Sequence, residues 1–278
     1  MTNFGRAFVL RPGTTALTAY QPPNDSRPRR VIVNSYRIPA PGDAGELDVV
    51  SELRGLAADK MRAYLQEKGR ETVQKDYLQY YARRFSMVET RQSFTYQEMT
   101  GENGCRMTEY YRIPEIWELS EGKNQYDLTL YPGDIGSAMG SVGPSQRDDP
   151  LALDVPMQVT ETIKAEMFED WPQKPKTTEV ANDFFRYRED VKGEGRRLEF
   201  VFAYELLTDR VPVAELAKYN AALTKLKDTL GYTLTYNTAD QLAAHERTIT
   251  STGRSRRSGA RSCSWRRPPA FSSCGRAD

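Results

Sequence analysis

Histidine and cysteine are what this sequence has least of. Its 278 residues include one histidine, His245, and three cysteines, Cys105, Cys263 and Cys274. A thiol nucleophile needs a base to take its proton and a third group to orient that base. Cys105 is the only thiol before the C-terminal tail, and the sole imidazole lies in that tail, so no nucleophilic triad can be drawn from the body. The cysteine separations fit neither a zinc ligand set nor a disulfide framework. Neither the GxxxxGK loop nor the GxGxxG loop that cradles phosphates is present. No cofactor, metal or catalytic residue is therefore expected. No run of about 18 apolar residues exists to span a membrane. Met1–Leu10 lacks the basic start and apolar core of a signal peptide, so the chain as written is expected in the cytoplasm.

Charge is unevenly spread. From Thr238 onward there are eight arginines and three acidic residues. Setting these aside from the 39 basic and 38 acidic residues of the chain leaves a body of 31 basic and 35 acidic, net −4. A mildly acidic body argues against nucleic acid as its partner. The tail has no lysine and no apolar period. It reads as a basic disordered segment over 237–278 or as the product of a shifted frame; a basic arm for nucleic acid is the competing reading.

Periodicity supplies the rest. Leu198, Phe200, Phe202, Tyr204 and Leu206 alternate with more polar residues, as a half-buried strand requires. Phe185, Tyr187 and Val191 form a partner strand, and Lys192-Gly193-Glu194-Gly195 is the expected hairpin turn. Pro212 starts a helix with Val213, Leu216, Asn220, Leu223, Leu226 and Leu230 on one face, and Gly231 ends it. Strands are also expected at 31–37, 46–54, 88–99, 105–113, 125–131 and 155–167. Two helices lie between the second and third, the second carrying Val73, Tyr77, Tyr80 and Tyr81. Trp171, Pro172 and Pro175 are expected in a loop. The tetrapeptide Tyr36-Arg37-Ile38-Pro39 recurs as Tyr111-Arg112-Ile113-Pro114, which reads as two strand ends closed by proline.

These elements predict an α+β protein of two lobes, each a mostly antiparallel sheet packed with helix. The expected divisions are an irregular segment 1–29, a lobe 30–131, a Gly/Ser/Pro linker 132–150 and a hairpin-plus-helix lobe 151–236. Asp148 with Asp149, Glu102 with Glu109, and Glu161 with Glu166 are candidate carboxylate pairs, but nothing in their pattern separates them from solvated surface acids. Tyr110, Tyr111, Trp117 and Trp171 are candidate binding-surface aromatics for a peptide or a sugar; burial within a sheet is the competing account.

Three stretches taken together resemble a known arrangement. They are Phe4-Gly5-Arg6-Ala7-Phe8-Val9-Leu10-Arg11-Pro12-Gly13 with Thr14 to Leu17; Arg54 to Arg62 continuing to Asp76-Tyr77-Leu78-Gln79-Tyr80-Tyr81-Ala82 and Tyr111-Arg112-Ile113-Pro114; and Arg210-Val211-Pro212 through Lys218-Tyr219 to Leu230-Gly231-Tyr232-Thr233-Leu234. In this order they resemble the region that follows the catalytic core in large bacterial transglutaminase-like proteins opening with a domain of unknown function. The resemblance covers roughly residues 4–236. It implies a Cys/His/Asp triad in a domain upstream of Met1, and no position here matches any of the three. It also implies an exported or membrane-associated parent, of which this chain is expected to be a fragment with a late start and a frameshift near Thr238. The expected role is a non-catalytic accessory region that packs on a transglutaminase-like core or presents a protein or peptide surface. The alternatives are a stand-alone peptide- or glycan-binding module and nucleic-acid binding through the tail.

Overall fold

Strand alternation decides the architecture, because successive side chains in a strand point to opposite faces. A computed structural model describes residues 6–8, 10–19, 29–120, 125–140, 147–153, 157–237 and 248–251. In chain order its elements are β1 (Arg6–Ala7), β2 (Thr18–Ala19), β3 (Arg30–Ile38), β4 (Gly45–Arg54), α1 (Leu56–Lys68), α2 (Arg70–Ala82), β5 (Glu89–Glu98), β6 (Gly104–Ile113), β7 (Glu118–Ser120), β8 (Gln125–Leu130), α3 (Gly133–Ala138), β9 (Leu151–Ala152), β10 (Gln158–Met167), β11 (Gln173–Ala181), β12 (Phe185–Glu194), β13 (Arg197–Leu206), β14 (Arg210–Val211), α4 (Leu216–Lys227), β15 (Tyr232–Asn237) and β16 (Thr248–Ser251).

Eight strands form one sheet in the order β11-β12-β13-β10-β3-β4-β6-β5, with a smaller sheet ordered β16-β15-β8-β7. The fold is α+β-like and rich in strand. Neighbours in the large sheet are antiparallel except at its centre, where β3 and β10 run parallel. Four of the five strands expected in the first lobe, and the three expected in the second together with β11, thus lie side by side in one hydrogen-bonded sheet.

One face of that sheet is the core. Ile32, Tyr36 and Ile38 of β3, Leu47 and Val49 of β4, Ile163 of β10 and Phe200, Phe202 and Tyr204 of β13 all turn to it and are buried. They share a single apolar cluster with Tyr80 and Tyr81 of α2, Ile135 of α3, Leu216, Tyr219 and Leu223 of α4, and Leu128 and Leu234 of the smaller sheet. A second cluster sits under the α1–α2 hairpin: Met61, Tyr64, Val73 and Tyr77 pack on Leu53, Phe94, Cys105 and Met107. The aromatic stripe of α2 is therefore packing surface.

Several expectations are corrected. The hairpin ladder runs three residues further along β12 than expected, to Glu194 opposite Arg197, and the turn is at Gly195, whose φ of +53° suits a residue without Cβ. Lys192 stays in β12 because it faces Glu199 and pairs with it at 2.8 Å. Residues 173–181 are not loop. They form β11, an edge strand that tolerates Pro175 because the register slips between Gln173 and Lys176 and an edge position needs no ladder donor. Lys174 and Lys176 flank the proline, a composition that discourages further pairing at the edge.

The carboxylates read as solvated acids divide by face. Glu109 and Glu161 are buried on the core side; Glu166, five residues from Glu161 in the same strand, points to the opposite face. Glu161 is 1 % exposed. It accepts hydrogen bonds from the Asn34 amide at 2.8 Å and from the backbone N–H groups of Asp134 and Ile135 at 2.8 and 3.0 Å. These bonds hold α3, which lies inside the stretch expected to be linker. Gly133 completes the fit, since a Cβ there would run into the Tyr80 hydroxyl. Glu109 accepts from the Tyr111 hydroxyl at 2.6 Å. Glu189, also buried, accepts from Tyr187 at 2.8 Å and from Tyr232. Burial and the neighbouring carboxylate together push the Tyr187 hydroxyl's pKa well up, so it stays a donor.

No helix among the described residues is long and apolar enough to cross a membrane. Gly122, residues 141–146 of the expected linker, His245, Cys263, Cys274 and the arginines after Ser251 lie outside the described residues.

Candidate functional site

The recurring tetrapeptide turns out to build a corner. β3 ends at Ile38 and β6 at Ile113, two strands apart with β4 between them, and each is followed by proline. The chain after Pro114 folds back across this end of the sheet, and the Trp117 indole N–H donates to the Pro39 carbonyl at 2.8 Å. Trp171, just after β10, places its ring 6.2 Å from that of Trp117. Phe168 and Tyr236 close the cluster at 6.4 Å each from Trp117 and 5.4 Å from one another.

Of the four candidate aromatics, then, Trp117 and Trp171 are brought together. Tyr110 and Tyr111 are kept apart by strand alternation. Tyr111 lies in the core with its ring 4.6 Å from Tyr81, while Tyr110 lies on the open face under the Arg91 guanidinium, 5.9 Å away. Trp171 and Tyr111 are buried, and Trp117 keeps 6 % of its surface exposed. That residual edge lines a groove of about 570 Å³, within the roughly 300–1,000 Å³ of small-ligand sites.

The groove is bounded by Gly42 and Asp43 of the β3–β4 turn, Ser86 after α2, Pro114 to Trp117 after β6, Glu118 and Leu119 of β7, and Tyr126 of β8. Ile116 is seated over Gly45, where a Cβ would strike its side chain. Leu119 is 60 % exposed, a large apolar side chain held at the rim. Among the described residues, three carboxylates, Asp43, Glu115 and Glu118, line the groove, and no lysine or arginine does. Glu115 accepts from the Ser86 hydroxyl at 3.1 Å. Neither Asp43 nor Glu115 pairs with a basic side chain among the described residues. The chemistry offered is thus a partly apolar, aromatic wall with negative charge at the rim, suited to a cation or a basic peptide.

Only Trp117 of this groove was singled out from sequence. Its acids are scattered over the sequence between positions 43 and 118, and the one signal that pointed here was the repeated proline-closed strand end.

Cys105 lies on β6, fully buried against α1 and α2. Burial pushes its thiol pKa up, which keeps it protonated and poorly nucleophilic. Among the described residues no three or more His, Cys, Asp or Glu side chains gather as a metal site. No family model, curated protein or solved structure matches the chain.

Proposed function

We propose that this chain is a non-catalytic recognition region that holds a basic, partly apolar peptide segment in the groove beside Trp117. The observation that carries the reading is that neither Asp43 nor Glu115 has a basic partner among the described residues, beside exposed Leu119 and the rims of Trp117 and Tyr126. Carboxylates without a cationic neighbour attract one from a partner and favour it over neutral or acidic competitors. The buried, protonated thiol of Cys105 supports binding over acyl transfer. The resemblance to the accessory region of transglutaminase-like proteins supports the same role, with the core or a peptide of such a protein as the partner. The two-lobe division, 30–131 and 151–236, belongs to this reading, each lobe giving four adjacent strands to the large sheet.

Two measurements test it. A purified chain assayed for thiol-dependent acyl transfer is expected to be inactive; activity abolished by Cys105→Ala would refute the non-catalytic role. Tryptophan fluorescence during titration with short arginine-containing peptides is expected to saturate, and Trp117→Phe to remove the change. Cell-wall glycan fragments are the competing ligand, and a response to them alone would favour the glycan reading. Steeply salt-dependent DNA affinity that disappears on truncation at Thr238 would instead favour the tail.

A further inference from the structure

The chain's own C-terminal segment has the chemistry the groove asks for. After Ser251, where β16 ends, the sequence carries seven arginines, at positions 254, 256, 257, 261, 266, 267 and 276, against one acid, Asp278. Trp265 stands directly before Arg266 and Arg267. Arginine and tryptophan are among the side chains that most often anchor an interface. The groove is opposite in sign: Asp43, Glu115 and Glu118 line it and, among the described residues, no lysine or arginine does. Asp43 and Glu115 are exposed, so a guanidinium reaches them without entering the core.

The point where the tail departs favours the groove of the same molecule. β16 pairs with β15 and β15 with β8, so Ser251, Tyr232 and Leu130 lie in one cross-strand row. Tyr126, on the groove wall, stands at the other end of β8 from Leu130. Two strand spacings and four residues of rise put Ser251 about 17 Å from it. A Gly/Ser-rich tether of about ten residues spans that distance on average, which brings Arg261 to the groove with Arg256 and Arg257 before it and Trp265 after. The tail leaves β16 at the end of the smaller sheet away from Tyr126 and has to double back. Its fully extended reach of about 33 Å over the same ten residues leaves slack for that turn. A tether matched to its span holds its end at a local concentration of roughly 1 mM. In more dilute protein, a segment so held meets its own groove before that of another molecule.

We infer that the Arg256–Arg267 segment docks in the Trp117 groove of its own chain, with Arg256, Arg257 and Arg261 against Asp43 and Glu115 and Trp265 against exposed Leu119. Docked there, it competes with a partner's peptide for the same acids. This rests on the reading of the groove as a basic-peptide site and adds the regulation of that site.

Trypsin reports whether the tail is held. In the full chain, cleavage after Arg256, Arg257 and Arg261, followed by mass spectrometry, is expected to quicken about tenfold in D43K/E115K, which alters only exposed side chains. That factor is the ratio of a local concentration of roughly 1 mM to a tail dissociation constant of roughly 0.1 mM. The protection is expected to survive dilution. Protection that fades on dilution would place the tail in the groove of another molecule, and equal cleavage of the natural chain and D43K/E115K would leave the tail undocked; either result overturns the inference. Calorimetric titration with a blocked tetrapeptide of sequence RFLR separates the two levels. Full-length R256Q/R257Q/R261Q is expected to bind it about tenfold more tightly than the natural chain, because the tethered competitor is weakened. Equal binding by both, with cleavage indifferent to D43K/E115K, keeps the groove as a peptide site and discards the tail. No binding by either, with cleavage again indifferent, discards both.

Discussion

Two exposed regions of this molecule treat negative charge in opposite ways. On the open face of the large sheet, one cross-strand row reads Glu194, Arg197, Glu166, Arg37, Glu46, Arg112 and Glu89, each residue opposite the next. Charge alternates along the whole row. Arg37 pairs with Glu46, Arg112 with Glu89 at 3.1 Å, and Arg91 reaches Glu46 from β5 at 3.0 Å. Glu46 and Glu89 are ion-paired within the chain, and Glu194 and Glu166 each stand opposite an arginine in the ladder, so charge along this face is balanced and suits solvent. Among the described residues, the groove beside Trp117 is lined by acids and by no lysine or arginine. Exposure alone does not distinguish an interaction site from a solvated face; the balance of charge across neighbouring elements does.

Changes to carboxylates in different settings sharpen that contrast. The largest effect is expected at neither region but beneath them. Glu161→Leu leaves the Asn34 amide and two backbone N–H groups of α3 without an acceptor. At about 1–3 kcal/mol for a buried unpaired group, a loss of about 3 kcal/mol is expected in denaturant unfolding. A loss below about 1 kcal/mol would mean that α3 is not held by this carboxylate.

In the groove, Glu115→Lys is expected to weaken basic peptide binding about tenfold, or about 1.4 kcal/mol, while unfolding stability stays within about 0.5 kcal/mol of the natural chain. Equal binding by both proteins would erase the distinction between the two regions. On the open row, Glu46→Gln is expected to leave peptide binding untouched and to cost below about 1 kcal/mol of stability, less at high salt, as exposed ion pairs do.

The smallest effect concerns pH. Hydrogen bonds from Arg62, joined by one from Tyr96, hold the Glu98 carboxyl at a pKa of about 2, and Arg62 in turn ties α1 to β5 through bonds of 2.7 and 3.0 Å. A depressed carboxyl pKa contributes stability above the unfolded value of about 4.3, and that contribution is lost as pH falls through about 2. Because the pair is exposed, Glu98→Gln is expected to remove only a fraction of a kcal/mol at neutral pH. The difference between variant and natural chain should shrink between about pH 4 and pH 2. A gap that persists at pH 2 would show that the carboxylate charge is not its source.

Much of the scaffold was legible because strand and helix periods are local. The alternation of Leu198, Phe200, Phe202, Tyr204 and Leu206 foretold which face is buried, whereas α4 stops at Lys227, capped at Asp228, short of the Gly231 expected to end it. Two things were not legible. Phe185, Tyr187 and Val191 sit on the same face as Glu189, but nothing in the strand says that Tyr232, 43 residues on, supplies its second donor. Likewise Glu161 looks like any surface acid until α3 folds across it. The pairing of β3 with β10, which joins the two expected lobes in one sheet, depends on contacts 129 residues apart, as Val31 opposite Thr160 shows. The groove failed to show for the same reason: Asp43 and Glu115 come from separate loops, and what sets them apart is the lack of a basic partner among the described residues, which no single stretch of sequence displays.

The claim most in need of a test is that the Trp117 groove takes positive charge and apolar surface at once. Calorimetric titration of the full chain with a short peptide bearing two arginines around two apolar residues, at low and at high salt, addresses it directly. The account predicts saturable binding that weakens as salt rises and falls further in Glu115→Lys. No measurable heat at either salt concentration, or binding that Glu115→Lys leaves unchanged, would contradict it.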